Sequence, residues 1–286
     1  MSGANRVAII SGAGKGLGRA YALLLASRGV AVVVNNRRHA GEAESSADRV
    51  VQEIVAAGGA AVAHYGDAEN PQTGETMLEL ALESFGRLDV VIANAGVSEA
   101  ATFSRQDAQQ FTRTVNINLM GTAYLLLPAF RHLYEQRSGH VLVSTSAAGL
   151  YGEHGLPAYS AAKAGVIGLM RSLALEGRSH EVYVNAISPF ARTQMTRDTL
   201  AAASVEGLGP EEVAPVAAAL VSQECALSGE VIVAGGGRLV RAASTCSTVC
   251  KPDSQHLEST LASLPALALD RHHDGAVAMF QDFLSS

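Results

Sequence analysis

The stretch VAIISGAGKGLG, residues 7–18, decides the fold of this chain. Residues 7–10 form a short apolar run typical of a buried strand, and a helical pattern begins at Leu17 and stops at Gly29. The glycines between them permit a sharp turn and a close approach of the backbone to a ligand. The N-terminus of a helix attracts anions through its unpaired N–H groups. Because a strand precedes the glycines and a helix follows them, we expect a pyrophosphate-binding turn rather than an ordinary loop.

Short apolar runs alternate with longer helical patterns through most of the chain. Strands are predicted at residues 7–10, 30–34, 61–65, 90–93, 141–144, 182–187 and 231–234. Helices are predicted at residues 17–28, 47–57, 74–85, 108–137, 158–175 and 210–221. Apolar strands separated by helices imply a parallel sheet that is buried on both faces. We therefore predict an α/β fold, a doubly wound, Rossmann-like parallel sheet in one domain over residues 1–240.

The strand and helix rhythm stops after Gly237. Residues 241–286 are predicted to form a C-terminal tail with one weak helix at residues 273–284. We expect this tail to pack on the domain or on a neighbouring subunit. The segment between Pro189 and Pro210 is predicted to form a short substrate lid, with a simply packed loop as the alternative.

The composition excludes several classes of protein. The chain has 286 residues, of which 48% are hydrophobic, and a formal net charge of −6, so nothing general favours binding to nucleic acid or to an anionic membrane. No run of about 20 apolar residues and no secretory signal pattern is present, so no membrane span is expected. The three cysteines, Cys225, Cys246 and Cys250, indicate reduced thiols in a cytoplasmic protein, and no metal site is expected.

Several motifs occur in a fixed order along the chain, and together they identify a family. The sequence resembles the short-chain dehydrogenases/reductases over roughly residues 5–240. The motifs that carry this resemblance are the G-x-x-x-G-x-G spacing of Gly12, Gly16 and Gly18; Ala93-Asn94-Ala95-Gly96; Asn118-Leu119-Met120-Gly121; Ser146; Tyr159-x-x-x-Lys163; and Asn185-Ala186-Ile187-Ser188-Pro189. The resemblance implies a nicotinamide-dependent oxidoreductase that interconverts an alcohol and a carbonyl, with a small-molecule substrate.

The resemblance also assigns roles to residues. It implies a catalytic set of Asn118, Ser146, Tyr159 and Lys163, in which Ser146 holds the substrate oxygen and Asn118 fixes a water that links Lys163 to solvent. It implies cofactor contacts from Gly12, Gly16, Leu17, Gly18, Asn36, Arg37, Asp67, Ala68, Asn94, Gly96, Tyr159, Lys163, Pro189 and Thr193. Enzymes of this family are commonly assembled from their long helices, so we expect a homodimer or homotetramer.

Tyr159 and Lys163 are four residues apart on a predicted helix, so they share one face. A free tyrosine has a pKa of about 10 and is a poor base at neutral pH. An ammonium group beside it, together with the positive charge of an oxidised nicotinamide, favours the phenolate. The sequence therefore predicts Tyr159 as the proton donor and acceptor.

The end of the second strand bears on the choice of cofactor. In such folds an acidic residue there binds the ribose 2′-hydroxyl of NAD, whereas an arginine accommodates the 2′-phosphate of NADP. Here the strand ends in Asn35-Asn36-Arg37-Arg38 without a carboxylate. The arginines favour NADP(H). The alternative is NAD(H), with Asn36 on the ribose and both arginines merely exposed.

The substrate is less constrained by the sequence. Segments such as residues 16–23 and 147–152 resemble the dehydrogenase unit of the peroxisomal multifunctional enzymes, which oxidises (3R)-hydroxyacyl-CoA and whose relatives act on steroids. A 3-hydroxyacyl or 3-oxoacyl thioester or a steroid-like molecule is therefore expected. Phe190 departs from the family pattern, which has glycine or asparagine after the proline. A non-catalytic nucleotide-binding regulator of the same fold is the alternative function.

Overall fold

The computed structural model describes residues 6–38, 41, 44–195, 208–250 and 257–285. The chain divides into two compact units, Met1–Arg241 and Ala242–Ser286. Most of the predicted lid, at residues 196–207, lies outside the described residues.

An eight-stranded sheet forms the centre of the first unit. Its strands are β1 (Arg6–Ile10), β2 (Val30–Asn35), β3 (Ala61–His64), β4 (Val90–Ala93), β5 (Gly139–Ser144), β6 (Val182–Pro189), β7 (Val231–Gly235) and β8 (Arg238–Ala242). The strand order is β3-β2-β1-β4-β5-β6-β7-β8, and β1 to β7 run parallel. The order reverses between β1 and β4, so the loops after these two strands diverge and open a cleft at their carboxyl ends.

Helices cover both faces of the sheet. They are α1 (Gly16–Ser27), α2 (Ser46–Ala56), α3 (Thr73–Phe85), α4 (Ala108–Val115), α5 (Gly121–Gln136), α6 (Ala147–Tyr151), α7 (Pro157–Gly177) and α8 (Pro210–Leu220). On one face α1 packs against α8, and on the other α3 packs against α5. Successive strand residues point to opposite faces. The strands β2 and β4 are buried along their whole length, which explains why they read as unbroken apolar runs.

The doubly wound α/β prediction is confirmed, with three differences of detail, the first of which is the short helix α6, which was not predicted. The predicted helix at 108–137 is three segments, because a π-helical stretch, Asn116–Met120, separates α4 from α5. The strand β8 was not predicted. Its residues 238–241 are exposed and carry two arginines, so the strand lacks an apolar run. It follows β7 after Gly236 and Gly237, whose φ angles of +56° and +68° fit the tight turn of a hairpin.

The second unit is small and helical. It contains α9 (Leu257–Ser263), a 3₁₀ turn at Leu264–Ala266, and α10 (Ala276–Ser285). The helix predicted at 273–284 corresponds to α10, whereas α9 was not predicted.

Candidate active site

The glycine-rich loop after β1 folds against the segment that follows β4. Gly12 and Gly16 have φ angles of +64° and +53°, a region that residues with a Cβ rarely adopt. A Cβ on Gly18 would lie 2.3 Å from the Gly12 carbonyl oxygen, and one on Gly12 would lie 2.9 Å from Cα of Ala95. The glycines at these three positions are therefore required by the turn itself.

Asn94 ties this loop to the middle of the sheet. Its Nδ2 lies 3.3 Å from the carbonyl oxygens of Ser11 and Gly12, and its Oδ1 accepts a hydrogen bond from Ser144 Oγ at 3.2 Å. Ser11 Oγ accepts from the backbone N–H groups of Asn94 and Ala95 at 3.0 and 3.1 Å. These contacts of Asn94 thus brace the loop, in addition to any role toward a cofactor.

A cleft of about 540 Å³ opens at the carboxyl ends of β1 to β4. Its lining includes six of the residues predicted to bind the cofactor: Gly12, Asn36, Arg37, Asp67, Ala68 and Gly96. Lys15, Val97, Ile117 and Gln194 also line it and were not predicted. Lys15 could have been found, since it stands inside the glycine-rich loop. Nothing in the sequence marks Gln194 as a cleft residue, because only the tertiary fold brings the segment after β6 back to this cleft.

The cleft has the chemistry that a dinucleotide requires. The glycine loop ends at the N-terminus of α1, whose first turn contains no acidic residue, so the positive end of the helix is not neutralised locally. Backbone N–H groups at such a terminus bind phosphate oxygens. Gly12 and Lys15 from this loop line the cleft. The residues present therefore fit the pyrophosphate of a nicotinamide dinucleotide.

Three other predicted cofactor residues lie around the loop. Thr193 faces it, since a Cβ on Gly16 would lie 3.5 Å from Thr193 Cγ2. Pro189 ends β6, in register with Ala234 of β7. Leu17 is the second residue of α1, and its partly buried side chain packs against the hydrophobic core. The segment after β6 therefore approaches the glycine-rich loop, whereas part of the Leu17 side chain packs in the core.

The far side of the cleft, which we call the adenosine end, consists of Asn36, Arg37 and Asp67. Asn36 Nδ2 donates to Ser46 Oγ at 2.8 Å. Arg37 Nη1 lies 3.4 Å from Asp67 Oδ2, and both side chains are about two-fifths exposed, at 39% and 41%. A contact this long between exposed groups is weak. Arg37 is therefore paired within the protein, but not held rigidly.

The four predicted catalytic residues, Asn118, Ser146, Tyr159 and Lys163, are not among the residues that line this cleft. Asn118 and Lys163 lie next to one of those residues, Gly96, and we call this group the catalytic end. Tyr159 and Lys163 lie on α7, with Lys163 Nζ 5.7 Å from the centre of the tyrosine ring. Ser146 hydrogen-bonds the Tyr159 hydroxyl and also caps α6, accepting from the Ala148 N–H at 3.2 Å. These contacts bring the predicted catalytic side chains together.

Close packing between α6 and α7 explains why the serine meets the tyrosine. A Cβ on Gly149 of α6 would lie 2.7 Å from the Lys163 carbonyl carbon of α7. Thr145 Oγ1 donates to the Lys163 carbonyl oxygen at 2.9 Å. Glycine at 149 therefore allows the backbones of the two helices to approach closely, which aligns Ser146 with Tyr159.

Burial dominates the ionisation of both groups on α7. It raises the pKa of Tyr159, and the hydrogen bond with Ser146 offsets this only in part. It lowers the pKa of Lys163 from its ordinary value of 10.5 to about 8. Lys163 is 3% exposed, and its Nζ donates to the Ser144 carbonyl oxygen at 2.8 Å. The sequence predicted that Lys163 acidifies the phenol, but in the protein alone burial raises the pKa of Tyr159.

Asn118 lies within the π-helical stretch between α4 and α5 and is fully buried. Its Nδ2 donates to the carbonyl oxygens of Val97 and Thr114, both at 2.9 Å. Its Oδ1 is buried and finds no hydrogen-bond partner among the described residues. A Cβ on Gly96 would lie 2.6 Å from this oxygen and 3.5 Å from Lys163 Nζ. Gly96 therefore links the lining of the cleft to Lys163, and a side chain at this position would crowd the buried amide oxygen of Asn118.

In the part of the chain that the structure describes, no helix is both long and apolar enough to cross a membrane.

Comparison with known proteins places the chain in a family. The sequence profile of the family described as short chain dehydrogenase matches residues 6–203. A short-chain type dehydrogenase/reductase of Mycobacterium tuberculosis is 41% identical over 243 residues, which are 84% of this chain and 85% of that protein. The crystal structure of a short chain dehydrogenase from Mycobacterium avium has a TM-score of 0.81 and 31% identity, and covers 94% of this chain and 97% of that one.

The resemblance to the peroxisomal multifunctional enzymes is confirmed as well. Peroxisomal multifunctional enzyme type 2 of Mus musculus is 41% identical over 236 residues, which are 81% of this chain but 32% of that protein. The chain therefore spans about a third of the length of this relative. With the profile match and these identities, the chain belongs to the short-chain dehydrogenases/reductases and is an oxidoreductase that acts on CH–OH groups.

Proposed function

We propose that this oxidoreductase uses NADP(H) in preference to NAD(H) to interconvert a 3-hydroxyacyl and a 3-oxoacyl thioester, with Tyr159 as the acid and base. The observation that carries the proposal is the hydrogen bond between Ser146 and the Tyr159 hydroxyl, one helical turn from the buried Lys163. Gly96 connects this group to the cleft below the glycine-rich loop. The comparisons give no support to the non-catalytic alternative.

The proton chemistry follows from the burial of the tyrosine. Because burial raises its pKa, Tyr159 is neutral at physiological pH and is ready to donate its proton to a substrate oxygen during reduction. Ser146 holds that oxygen through a second hydrogen bond. A nicotinamide bound at this site would supply or accept the hydride and, when oxidised, would carry a positive charge. Lys163 favours the phenolate that accepts a proton during oxidation, and such a charge would add to its effect.

Lys163 and Asn118 support this proton transfer. The proposed role of Lys163 is to hold the nicotinamide ribose with its ammonium group. The proposed role of Asn118 is to fix a water beside Lys163. Its unpartnered Oδ1 supports this role, because a buried amide oxygen without a hydrogen bond is unfavourable and a water satisfies it.

The preference for NADP(H) rests on the adenosine end. Position 36 is an asparagine whose Nδ2 already bonds Ser46, so no carboxylate there repels a 2′-phosphate. Arg37 lines the cleft and is held only by a long contact with Asp67, so it can turn to a phosphate. The thioester substrate rests on the resemblance to the multifunctional enzymes. Phe190 is 44% exposed, which leaves its ring available to a substrate.

The experiment that tests the proposal compares substrates with the purified chain. We expect the highest kcat/KM with NADPH and a 3-oxoacyl-CoA, and lower values with NADH, simple ketones and 3-ketosteroids. Higher kcat/KM with a ketosteroid would overturn the thioester assignment. Cofactor binding in a fluorescence titration, without turnover of any carbonyl, would instead support the non-catalytic alternative.

We also propose a cytoplasmic homodimer or homotetramer assembled through α5 and α7. An apolar groove of about 450 Å³ lies between these helices and is lined by Leu126, Leu127, Phe130, Leu169 and Leu173 among others. Leu127 is 62% exposed in the single chain. A second copy that covers this groove removes apolar surface from water. Light scattering at micromolar concentration is expected to give at least twice the monomer mass, and a monomer would contradict the assembly.

A further inference from the structure

The C-terminal unit contains a cluster of ionisable side chains that the proposed oxidoreductase reaction does not use. Cys246 and Arg271 face each other across an antiparallel bridge, in which each backbone N–H donates to the other residue's carbonyl oxygen at 2.9 and 3.0 Å. His273 follows two residues after Arg271, and Asp282 lies on α10. The bridge and the helix together assemble a thiol cluster of Cys246, Arg271, His273 and Asp282.

Hydrogen bonds connect the members of the thiol cluster. Cys246 Sγ lies 3.6 Å from His273 Nδ1 and 3.8 Å from the Arg271 carbonyl oxygen, and His273 Nε2 lies 3.0 Å from Asp282 Oδ2. Arg271 Nη2 donates to the other carboxylate oxygen, Asp282 Oδ1, at 2.7 Å. An ionised carboxylate only accepts hydrogen bonds, so His273 Nε2 carries a proton, and in the neutral form of the ring Nδ1 presents its lone pair to the thiol. This is the arrangement of a nucleophile, its base, and a third group that orients the base.

Space for a small reactant lies next to the sulfur. A cavity of about 260 Å³ is lined by Cys246 and Cys250 together with apolar side chains, among them Leu261, Leu264 and Phe283. Cys250 is more exposed than Cys246, but its thiol makes a weak hydrogen bond to the Thr248 carbonyl oxygen at 3.9 Å. The reactivities of the two cysteines can therefore be compared within one chain. Cys246 has a neighbouring base, whereas Cys250 is only more exposed.

We propose that Cys246 is a nucleophilic thiol that exchanges with low-molecular-weight disulfides, which makes the thiol cluster a site of reversible thiolation. The Cys246 proton passes to His273 Nδ1, and the thiolate attacks one sulfur of the disulfide. The S–S bond of the reactant breaks as a new one forms to Cys246 Sγ. The departing thiolate takes the proton from His273, so the exchange needs no further oxidant.

The test measures thiolation of the full chain by oxidised glutathione. The rate constants at Cys246 and Cys250 are read separately by mass spectrometry of proteolytic peptides, and their ratio is the observable. We expect Cys246 to react roughly tenfold faster than Cys250 at pH 7, because the thiolate is the reacting species. A ratio near one in the wild-type chain would overturn the proposal. Exposure alone favours Cys250, so a faster reaction at Cys246 cannot be explained by accessibility.

A pair of histidine variants then isolates the base. His273→Gln is expected to lower the ratio by roughly tenfold, and this expectation holds even if the unit opens, because opening exposes both cysteines alike. His272→Gln is the matched control, since Nδ1 of that ring lies 3.2 Å from the Ser244 carbonyl oxygen rather than beside the thiol. An unchanged ratio in His273→Gln, or an equal fall in His272→Gln, would exclude His273 as the base.

Discussion

The two ends of the cleft hold their charged groups in opposite ways. At the catalytic end Lys163 is 3% exposed, and its Nζ donates to the neutral carbonyl oxygen of Ser144. At the adenosine end Arg37 and Asp67 are each about two-fifths exposed and pair with one another. Burying a charge without a counter-charge is unfavourable, whereas an exposed ion pair contributes little. Positioning Lys163 at the catalytic end therefore lowers the stability of the fold, whereas Arg37 and Asp67 at the adenosine end can rearrange around a ligand.

Replacing the tyrosine tests the catalytic end most severely. Tyr159→Phe removes the hydroxyl that donates and accepts the proton, so kcat should fall by roughly a hundredfold to ten-thousandfold. The dissociation constant of the cofactor, measured by fluorescence titration, should stay nearly unchanged, since the ring and α7 remain in place.

Tyr183→Phe is the matched control for this change, because Tyr183 lies on β6 and stacks against His140 away from the cleft. Its kcat should equal that of the wild-type chain. If Tyr159→Phe abolished cofactor binding instead of turnover, the role assigned to Tyr159 would be wrong.

The cost of burying Lys163 should be visible in the pH dependence of stability. Because the pKa of Lys163 falls from 10.5 to about 8 on folding, the unfolded chain binds more protons between these values. The free energy of unfolding should therefore rise with pH in this window, by roughly 1.4 kcal/mol per pH unit. Below about pH 8 the lysine is charged in both the folded and the unfolded chain, so Lys163 adds no pH dependence there.

The measurement is urea unfolding of the cofactor-free chain at several pH values, with Lys163→Met as the reference. Subtracting the variant removes the contribution of the other titrating groups, including Tyr159 and Tyr21, whose pKa values burial also raises. Parallel curves for the two proteins would mean that Lys163 is not buried as a charge.

The smallest effect is expected at the adenosine end. Arg37→Ala should weaken NADPH by about tenfold and NADH much less, which corresponds to about 1.4 kcal/mol, because an exposed guanidinium contributes only moderately to phosphate binding. Arg38→Ala is the companion variant, since the sequence predicts a phosphate role for both arginines. Isothermal titration with both cofactors measures the difference. Equal weakening of NADPH and NADH by both variants would favour NAD(H), with Asn36 on the ribose.

Much of the site could be read from the sequence because its parts are local. Gly12, Gly16 and Gly18 stand between a strand and a helix, and Tyr159 and Lys163 are one turn apart on a helix. The position of Asn118 could be matched to a motif, but its π-helical backbone could not, because nothing in the pattern of residues 108–137 distinguishes a continuous helix from one with a π-helical stretch. The strand β8 was missed for a related reason, since exposed strands carry little hydrophobic signal.

The sequence by itself determined the order of the strands β1 to β7, the glycine-rich turn after β1 and the pairing of Tyr159 with Lys163, because each depends on residues within one or two turns of each other. Only the tertiary structure decided that Gln194 returns to the cleft, that Arg37 meets Asp67, and that Cys246 meets His273 and Asp282. It also decided the direction of the pKa shift of Tyr159, since burial depends on what packs around a side chain rather than on its neighbours in sequence.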